Sequence, residues 1–269
     1  ASVRAVGAVV IAAAGNERTS VGRPASCRGA FAVTSLNRQG FKAIYANYGS
    51  QIALATVGGD QDRMATCDNL LADSGIVSTG NTGTGTASAF GYAAGSGSSF
   101  AAPLVAGAAS LMLAVNPALS PDQLEIGLRV SARPHVAVPA LGVCNAASNP
   151  GRCQCTTGSC GSGILDADQA LAYAAGPVGY VAPSRSAATL DSSAITQCAI
   201  LLGLAPVAPP PAPPAGSGDS GGGAIGAGWL GGLALAVALL AASGGRIARP
   251  LGRRRAAGPD RVAPADDAR

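Results

Sequence analysis

Apolar residues cluster in three short runs in the first quarter of the chain. The runs 8–13, 30–34 and 51–55 are mostly small or branched apolar residues, and each reaches a Gly or Asn within three further positions. An unbroken apolar run that ends at a turn is typical of a buried parallel strand, and the pattern is clearest in 8–13. The sequence therefore predicts three short strands, the first of them buried.

Longer apolar stretches predict two helices. One begins at Ser99 and ends near Val115, because Asn116 and Pro117 form a stop signal. The second spans Pro121 to about Ser131, since Ser120 and Gln123 have the spacing of a capping box. The stretch 79–98 is rich in Gly, Thr and Ser and is expected to be a flexible loop that leads to Ser99.

Ser99 is the strongest candidate for chemistry. Gly97 permits a tight turn before it, small alanines let the helix pack deeply, and Pro103 is expected in the first turn, where amides lack intrahelical partners. The positive end of the helix dipole would stabilise negative charge beside the hydroxyl. These features indicate a nucleophile; the alternative is an Ala/Gly-rich core helix that happens to begin with serines.

The segment 97–107 resembles the serine motif of the subtilisin-like serine proteases (subtilases), Gly-Thr-Ser-Met-Ala-Ala-Pro-His-Val-Ala-Gly. Eight of the eleven positions match; Ser98, Phe100 and Leu104 replace Thr, Met and His. The resemblance implies an α/β fold with a parallel sheet flanked by helices. It also implies that Ser99 attacks the peptide carbonyl.

The end of the first apolar run is similar to the family's Ala-Ala-Gly-Asn segment. The resemblance implies that the Asn16 amide donates to the oxyanion, and that Ala13, Ala14 and Gly15 line the pocket for the residue preceding the scissile bond. Taken alone, Asn16 could equally be a turn-capping residue. Between the two motifs, Thr56–Val57–Gly58 replaces the family's Ala-Pro-Gly turn.

The base and its orienting acid are not found in this sequence. In the family, Asp and His precede the nucleophile, whereas the single histidine, His135, follows Ser99. Asp73 lies in an Asp-Ser-Gly triplet but follows Asn16, so it is not expected to be the catalytic aspartate. We therefore expect an incomplete domain whose N-terminal half is missing, which begins at the end of a helix and is inactive alone.

Seven cysteines favour disulfide bonds and an oxidising compartment. Four of them crowd into one loop and could instead bind zinc, although two of these are closer together than zinc ligands usually are. Cysteines so close in the sequence rarely bond to each other. The three cysteines outside the loop are an odd number, which is consistent with a disulfide partner upstream for one of them. No metal site is predicted, no cofactor is required, and no ligand cluster supports the calcium that is common in the family. The disulfide candidates are Cys27, Cys67, Cys144, Cys153, Cys155, Cys160 and Cys198.

Composition divides the rest of the chain. The segment 161–175 resembles the strand and helix that close the family's domain, which predicts a domain 1–176 and a following segment 177–204. A Pro/Gly/Ser-rich linker at 205–223 has no means of forming a core. The uncharged segment 224–245 is long enough for one transmembrane helix.

The tail 246–269 carries seven Arg and three Asp and so accounts for the whole net charge of +4. By the positive-inside rule this tail is cytoplasmic and the domain lies outside. Because the rest of the chain is balanced in charge, nucleic-acid binding has no electrostatic support.

Gly221 to Gly223, the short span and the closing arginines resemble the GlyGly-CTERM sorting signal of Gram-negative bacteria. This implies cleavage by a rhombosortase-type processing enzyme; the alternatives are a permanent anchor, or a helix contact through Gly228 and Gly232. We expect an exported serine endopeptidase, held in the inner membrane with its domain periplasmic, and then released to the cell surface or secreted. The alternative is a catalytically dead relative that serves as a surface-displayed binding or scaffold protein.

Overall fold

The computed structural model describes residues 2–61, 67–145 and 147–204. The predicted linker 205–223, transmembrane segment 224–245 and tail 246–269 lie outside these residues. A short helix α1 (Ser2–Ala5) precedes the first strand, as expected.

A three-stranded parallel sheet forms the centre of the fold. Its strands are β1 (Val10–Ala13), β2 (Ala30–Leu36) and β3 (Ile52–Val57), in the order β1-β2-β3. This confirms the predicted α/β fold with a parallel sheet and flanking helices. The prediction that β1 is buried is wrong, since only Ala12 in it is buried. Both β1 and β3 lie at an edge of this sheet, but residues 162–165 hydrogen-bond along the outer edge of β3, and no described strand pairs with the outer edge of β1.

The helix that begins the serine motif is the central helix of the domain. Helix α3 (Ser98–Val115) packs across all three strands through Ala101, Val105 and Met112. Its length and apolarity would suit a membrane span, but one face packs in the hydrophobic core. Pro103 lies inside α3 rather than in its first turn, so the Ser99 carbonyl has no helical N–H four residues ahead.

The remaining helices surround this centre. The predicted capping box is present at α4 (Pro121–Val130), where Ser120 Oγ accepts from Gln123 N at 3.2 Å and Gln123 Oε1 accepts from Ser120 N at 2.9 Å. The helix predicted to close the domain is present at Ala167–Ala175, and the strand predicted before it is reduced to single bridges at Ile164. The other helices are α2 (Asp68–Leu71), the 3-10 turn Pro139–Leu141, α5 (Thr157–Cys160), α6 (Ala167–Ala175) and α7 (Ser193–Leu201).

The stretch 79–98 is not the flexible loop that its composition predicted. Strands β4 (Ile76–Asn81) and β5 (Phe90–Gly95) pair in an antiparallel hairpin that ends just before α3. Small residues can occupy a strand when their backbone groups find partners, and here Gly80 pairs with Gly91. Serine, threonine and glycine content alone did not reveal this pairing.

Three disulfides form among the seven cysteines. They join Cys67 to Cys198, Cys144 to Cys153 and Cys155 to Cys160. Cys153 and Cys155 therefore pair separately, as expected, and their sulfurs are not available as zinc ligands. Cys27 is exposed and unbonded within the described residues, so a partner upstream stays a prediction.

The segment after the predicted domain end packs back onto the domain. Ala137 N donates to Ala188 O and Leu190 N donates to Ala137 O, both at 2.8 Å. The Cys67–Cys198 disulfide fastens α7 to the chain ahead of α2. Residues 185–190 thus form a strap across the loop that follows α4.

Candidate active site

Ser99 is the second residue of α3 and is exposed at the start of that helix. Gly97 caps the helix with φ 155° and ψ 157°, a conformation that is essentially restricted to glycine. The Gly97 N–H donates to Gly58 O at 3.0 Å, which fixes the turn against the end of β3. The amide of Ser99 belongs to the first helical turn, where N–H groups have no helical acceptor.

Asn16 lies opposite, three residues beyond Ala13, which ends β1. Its Oδ1 accepts hydrogen bonds from Ser98 N and Ser98 Oγ, both at 2.9 Å. Because a backbone N–H can only donate, the atom that faces it is the oxygen, and Nδ2 is the free end of the amide. Ser98 Oγ also accepts from Gly15 N at 3.2 Å, so one buried hydroxyl joins the two segments.

The nucleophile candidate and the Asn16 amide face the same small space. A methyl group placed on Gly97 would lie 3.3 Å from Ser99 Oγ and 3.5 Å from Asn16 Nδ2. Gly97 therefore leaves open the position where an oxygen could be held beside both groups. This juxtaposition joins residues 83 positions apart in the sequence, and the parallel sheet produces it by ending β1 beside α3.

Asn47 fixes the loop that carries Asn16, a role that sequence reasoning missed. Its buried Oδ1 accepts from Glu17 N at 2.9 Å and from Thr19 N at 3.0 Å, and its Nδ2 donates to Ala14 O at 3.1 Å. Glu17 Oε2 accepts from Asn47 Nδ2 at 2.6 Å and from Asn16 N at 2.9 Å. No local signal marked Asn47, since these partners lie about 30 residues away in the chain.

The three predicted pocket residues lie beside this loop. Ala13 ends β1. Ala14 is fully buried, and its N–H donates to Val33 O at 2.9 Å. Gly15 has φ +107°, and a methyl group there would clash with Asn47 Nδ2, so only glycine fits. Their role as a substrate-pocket wall stays a prediction.

The turn at Val57 is held without the proline of the family motif. The Tyr45 hydroxyl lies 3.1 Å from Gly58 O and 2.5 Å from Gly59 O and donates toward both, while Ser35 Oγ lies 2.7 Å from the same hydroxyl. Burial raises the pKa of Tyr45, which keeps the phenol protonated and able to donate. A side-chain hydrogen bond thus supports the turn against which Gly97 rests.

His135 and Asp73, which the sequence does not predict to be catalytic, make other contacts. His135 Nε2 lies 3.0 Å from Gly161 O, to which it donates, and burial lowers the pKa of this histidine. Asp73 Oδ1 accepts from Asp60 N and Gly75 N, both at 2.7 Å, and its Oδ2 accepts from Arg38 N at 2.8 Å. Among the described residues, these contacts bring no histidine or aspartate to Ser99.

Comparison with known proteins identifies relatives of this chain. The sequence profile of the subtilase family matches residues 2–163. The chain is 36% identical over 171 residues to an extracellular protease of Xanthomonas campestris, and 30% identical over 135 residues to an extracellular basic protease of Dichelobacter nodosus. These matches cover 62% and 48% of this chain, but the chain spans only 24% and 20% of the length of those relatives.

A solved structure shares the fold. A protease from Pseudoalteromonas arctica superposes with a TM-score of 0.50 at 37% identity, over 64% of this chain and 44% of that protein. The match to the family profile covers more than half of the sequence and includes Asn16 and Ser99. The chain therefore belongs to the subtilase family of peptidases.

Proposed function

We propose that this chain supplies the nucleophile and the oxyanion donors of a serine endopeptidase. The observation that carries the proposal is the convergence of Ser99 Oγ and Asn16 Nδ2 on the space beside Gly97. Membership of the subtilase family, and the protease relatives, support the reaction class.

In this mechanism Ser99 Oγ attacks the carbonyl carbon of a peptide bond and loses its proton to a base. Asn16 Nδ2 and the Ser99 N–H then donate to the negatively charged oxygen of the tetrahedral intermediate. Collapse of the intermediate expels the amine, which takes up the proton, and leaves an acyl group on Ser99. A water molecule, which gives a proton to the same base, then attacks the acyl carbon. The carboxylic acid product is released and Ser99 Oγ takes the proton back.

The base and its orienting acid come, in this proposal, from residues outside the 269 of this chain. The only histidine is occupied with Gly161, and the Asp-Ser-Gly aspartate is occupied with three backbone amides. Ala13, Ala14 and Gly15 form one wall of the pocket for the residue before the scissile bond. Substrates are proteins or peptides.

The decisive experiment starts with the coding DNA upstream of Ala1, where an Asp-Ser/Thr-Gly motif followed by a His-Gly-Thr-His type motif is expected. The extended protein should hydrolyse a chromogenic peptide; Ser99→Ala should abolish turnover, and Ser78→Ala, an exposed serine on β4, should not. The 269-residue chain alone should be inactive. Hydrolysis by this chain that depends on Ser99 would overturn the proposed division of the site.

An open frame that continues upstream without the two motifs would favour the other function class. The protein would then be a catalytically dead relative with a binding or scaffold role. The position of Ser99 Oγ and Asn16 Nδ2 beside Gly97 argues for the enzyme, since a scaffold has no need to hold an amide donor beside a serine hydroxyl.

We also propose that the domain is exported, followed by the segment 177–204, the linker 205–223, one membrane span at 224–245 and a cytoplasmic tail at 246–269. The uncharged span and its arginine-rich end support this topology, and the relatives are named extracellular proteases. Removal of the tail by a rhombosortase-type enzyme would release the domain. Mass spectrometry of mature protein from a host with that enzyme should show a C-terminus near Gly221–Gly223, whereas an intact C-terminus would exclude processing.

A further inference from the structure

A cavity lies at the carboxyl ends of β2 and β3. Its volume is about 540 Å³, within the range of small-ligand sites. The loop after α4 and residues 185–188 of the strap form its other walls. Its lining includes none of Asn16, Ser98 and Ser99, which together form the Ser99 corner. Ligand groups are commonly bound at this edge of parallel sheets.

The charged side chains of this cavity are all basic. Arg38, Arg133 and Arg185 line it, and no Asp or Glu is among its described lining residues. Asp166, behind the wall, is shared: it pairs with Arg185, and its Oδ2 lies 3.7 Å from Arg133 Nε. One carboxylate therefore faces two guanidinium groups, and positive charge is left over.

A buried donor lines the same cavity. Asn37 is 1% exposed, and its Oδ1 accepts from Gln39 N at 3.0 Å and from Gly40 N at 2.9 Å. Its Nδ2 is buried and has no hydrogen-bond partner within the described part of the chain. A buried amide without an acceptor costs about 1–3 kcal/mol, and a ligand oxygen would remove that cost.

The rest of the wall is apolar. Val57, Val136 and Ile164 contribute to it, and Val136 also packs against Gly40, so that side of the cavity is closed. A bare inorganic anion would leave these side chains without a partner. The lining thus suits a ligand that joins an anionic group to an apolar body.

The geometry points to a binding site for the carboxylate of an apolar peptide, with Arg133 and Arg185 holding the carboxylate and the valine and isoleucine side chains holding the adjoining residues. Guanidinium groups bind carboxylates through paired hydrogen bonds, which favours this group over a neutral amide. The carboxylate can be a peptide C-terminus or an acidic side chain, because both present the same two oxygens.

The strap keeps the site formed. Ala188 O and Leu190 N of the strap hydrogen-bond to the N–H and the carbonyl of Ala137. The Cys67–Cys198 disulfide links α7, which follows the strap, to the chain ahead of α2. The site is therefore independent of whether Ser99 has a base, and it can be tested without peptidase activity.

The test is calorimetric titration of the full 269-residue chain in detergent with four probes. These are an N-acetylated tetrapeptide of Ala, Val and Leu with a free carboxyl terminus, its C-terminal amide, the same amide with one internal Glu, and inorganic phosphate. We expect the free acid to bind at least about tenfold more tightly than the amide, and phosphate to bind more weakly than either acid. If only the free acid binds, the site reads a C-terminus; if the Glu peptide binds equally, it reads a side-chain carboxylate. Equal binding of acid and amide, or phosphate binding as tight as that of the acid, would overturn the proposal.

Variants locate the binding. The double change Arg133→Gln and Arg185→Gln should lower the affinity for the free acid by about tenfold or more, and replacement of both by Lys should restore part of it. The double change Arg23→Gln and Arg28→Gln, at two exposed arginines outside the cavity, removes the same charge and is the matched control. Ser186→Glu keeps every arginine but adds a competing carboxylate at the exposed rim, so it tests the site even if the double variant folds poorly. Affinity that falls with Ser99→Ala instead would place the peptide at the Ser99 corner and refute the assignment.

Discussion

Two polar regions of this molecule are built in opposite ways. The Ser99 corner, which consists of Asn16, Ser98 and Ser99, carries no charge, and two of its three side chains are exposed. The charged interior, which consists of Lys42, Asp60 and Arg152, has side chains that are at most 2% exposed.

The charged interior is closed by mutual contacts. Arg152 Nε donates to Asp60 Oδ2 at 2.7 Å and Arg152 Nη2 donates to Oδ1 at 3.1 Å. Lys42 Nζ donates to Ala43 O at 3.0 Å and Ala46 O at 2.9 Å, and it lies 5.0 Å from the centre of the Tyr48 ring. Activity at the Ser99 corner therefore depends on the direction of a few neutral groups, whereas the stability of the charged interior depends on each charged group keeping its partner.

Removal of Arg152 should give the largest effect on stability. Arg152→Ala leaves the Asp60 carboxylate buried without its bidentate partner, which costs about 3–5 kcal/mol in the free energy of unfolding. Urea unfolding of the chain, followed by circular dichroism, measures this loss, with Arg28→Ala as the exposed control. Replacing both partners by apolar residues, Asp60→Leu with Arg152→Met, should cost less than the single change. A loss in Arg152→Ala no greater than in Arg28→Ala would show that the interior is not held by its charges.

The corresponding change at the corner should act on turnover and leave stability nearly unchanged. Asn16→Ala removes one oxyanion donor, which is expected to lower turnover by roughly 10²- to 10³-fold, a magnitude carried over from a subtilase. The measurement is peptide hydrolysis by the protein extended with its upstream sequence. Because Asn16 is exposed, the substitution should change the free energy of unfolding of the protein by less than about 1 kcal/mol. Unchanged turnover would remove Asn16 from the oxyanion site.

Local patterns predicted much of the fold. The Ser120–Gln123 capping box depends on residues three apart and was confirmed, and the three strands were placed within about two residues. The hairpin was missed because its two strands consist largely of small residues and lack an alternating apolar pattern.

The candidate site was predicted only in part, for a related reason. The motifs identified Ser99 and Asn16, but the contact from Ser98 to Asn16 spans 82 residues and the contact from Asn47 to Glu17 spans 30. Disulfide partners also could not be assigned by counting cysteines, since six of them allow many pairings. Such contacts are set by how distant segments meet, which spacing along the chain does not reveal.

The interior should also make stability depend on pH through Lys42. Burial lowers the pKa of Lys42 from 10.5 to about 7; Asp60 opposes this shift, and Arg18 and Arg152 add to it. Between these two values the unfolded chain binds the proton and the folded chain does not, so stability rises with pH by about 1 kcal/mol per unit. Lys42→Met should remove that slope, and the difference between the two proteins cancels the other titrating groups.

The same shift can be measured directly, because Lys42 is the only lysine of the sequence. In protein with labelled lysine, the single side-chain resonance should titrate with a midpoint near pH 7. A midpoint near the ordinary value of 10.5 would show that the amino group is hydrated and that the interior admits water.

Ser98 offers the smallest and most specific test of the corner. Ser98→Ala removes one of the two donors to Asn16 Oδ1 but keeps the backbone donor, so the amide is still held, though less firmly. We expect turnover of the extended protein to fall about fivefold to tenfold, the value of one hydrogen bond of roughly 1 kcal/mol, with little change in KM. Ser98→Thr keeps the hydroxyl and should restore turnover, whereas the double change with Asn16→Ala should be no worse than Asn16→Ala alone. A further loss in that double variant would mean that Ser98 also acts by a route other than Asn16, such as the hydrogen bond that it accepts from Gly15 N.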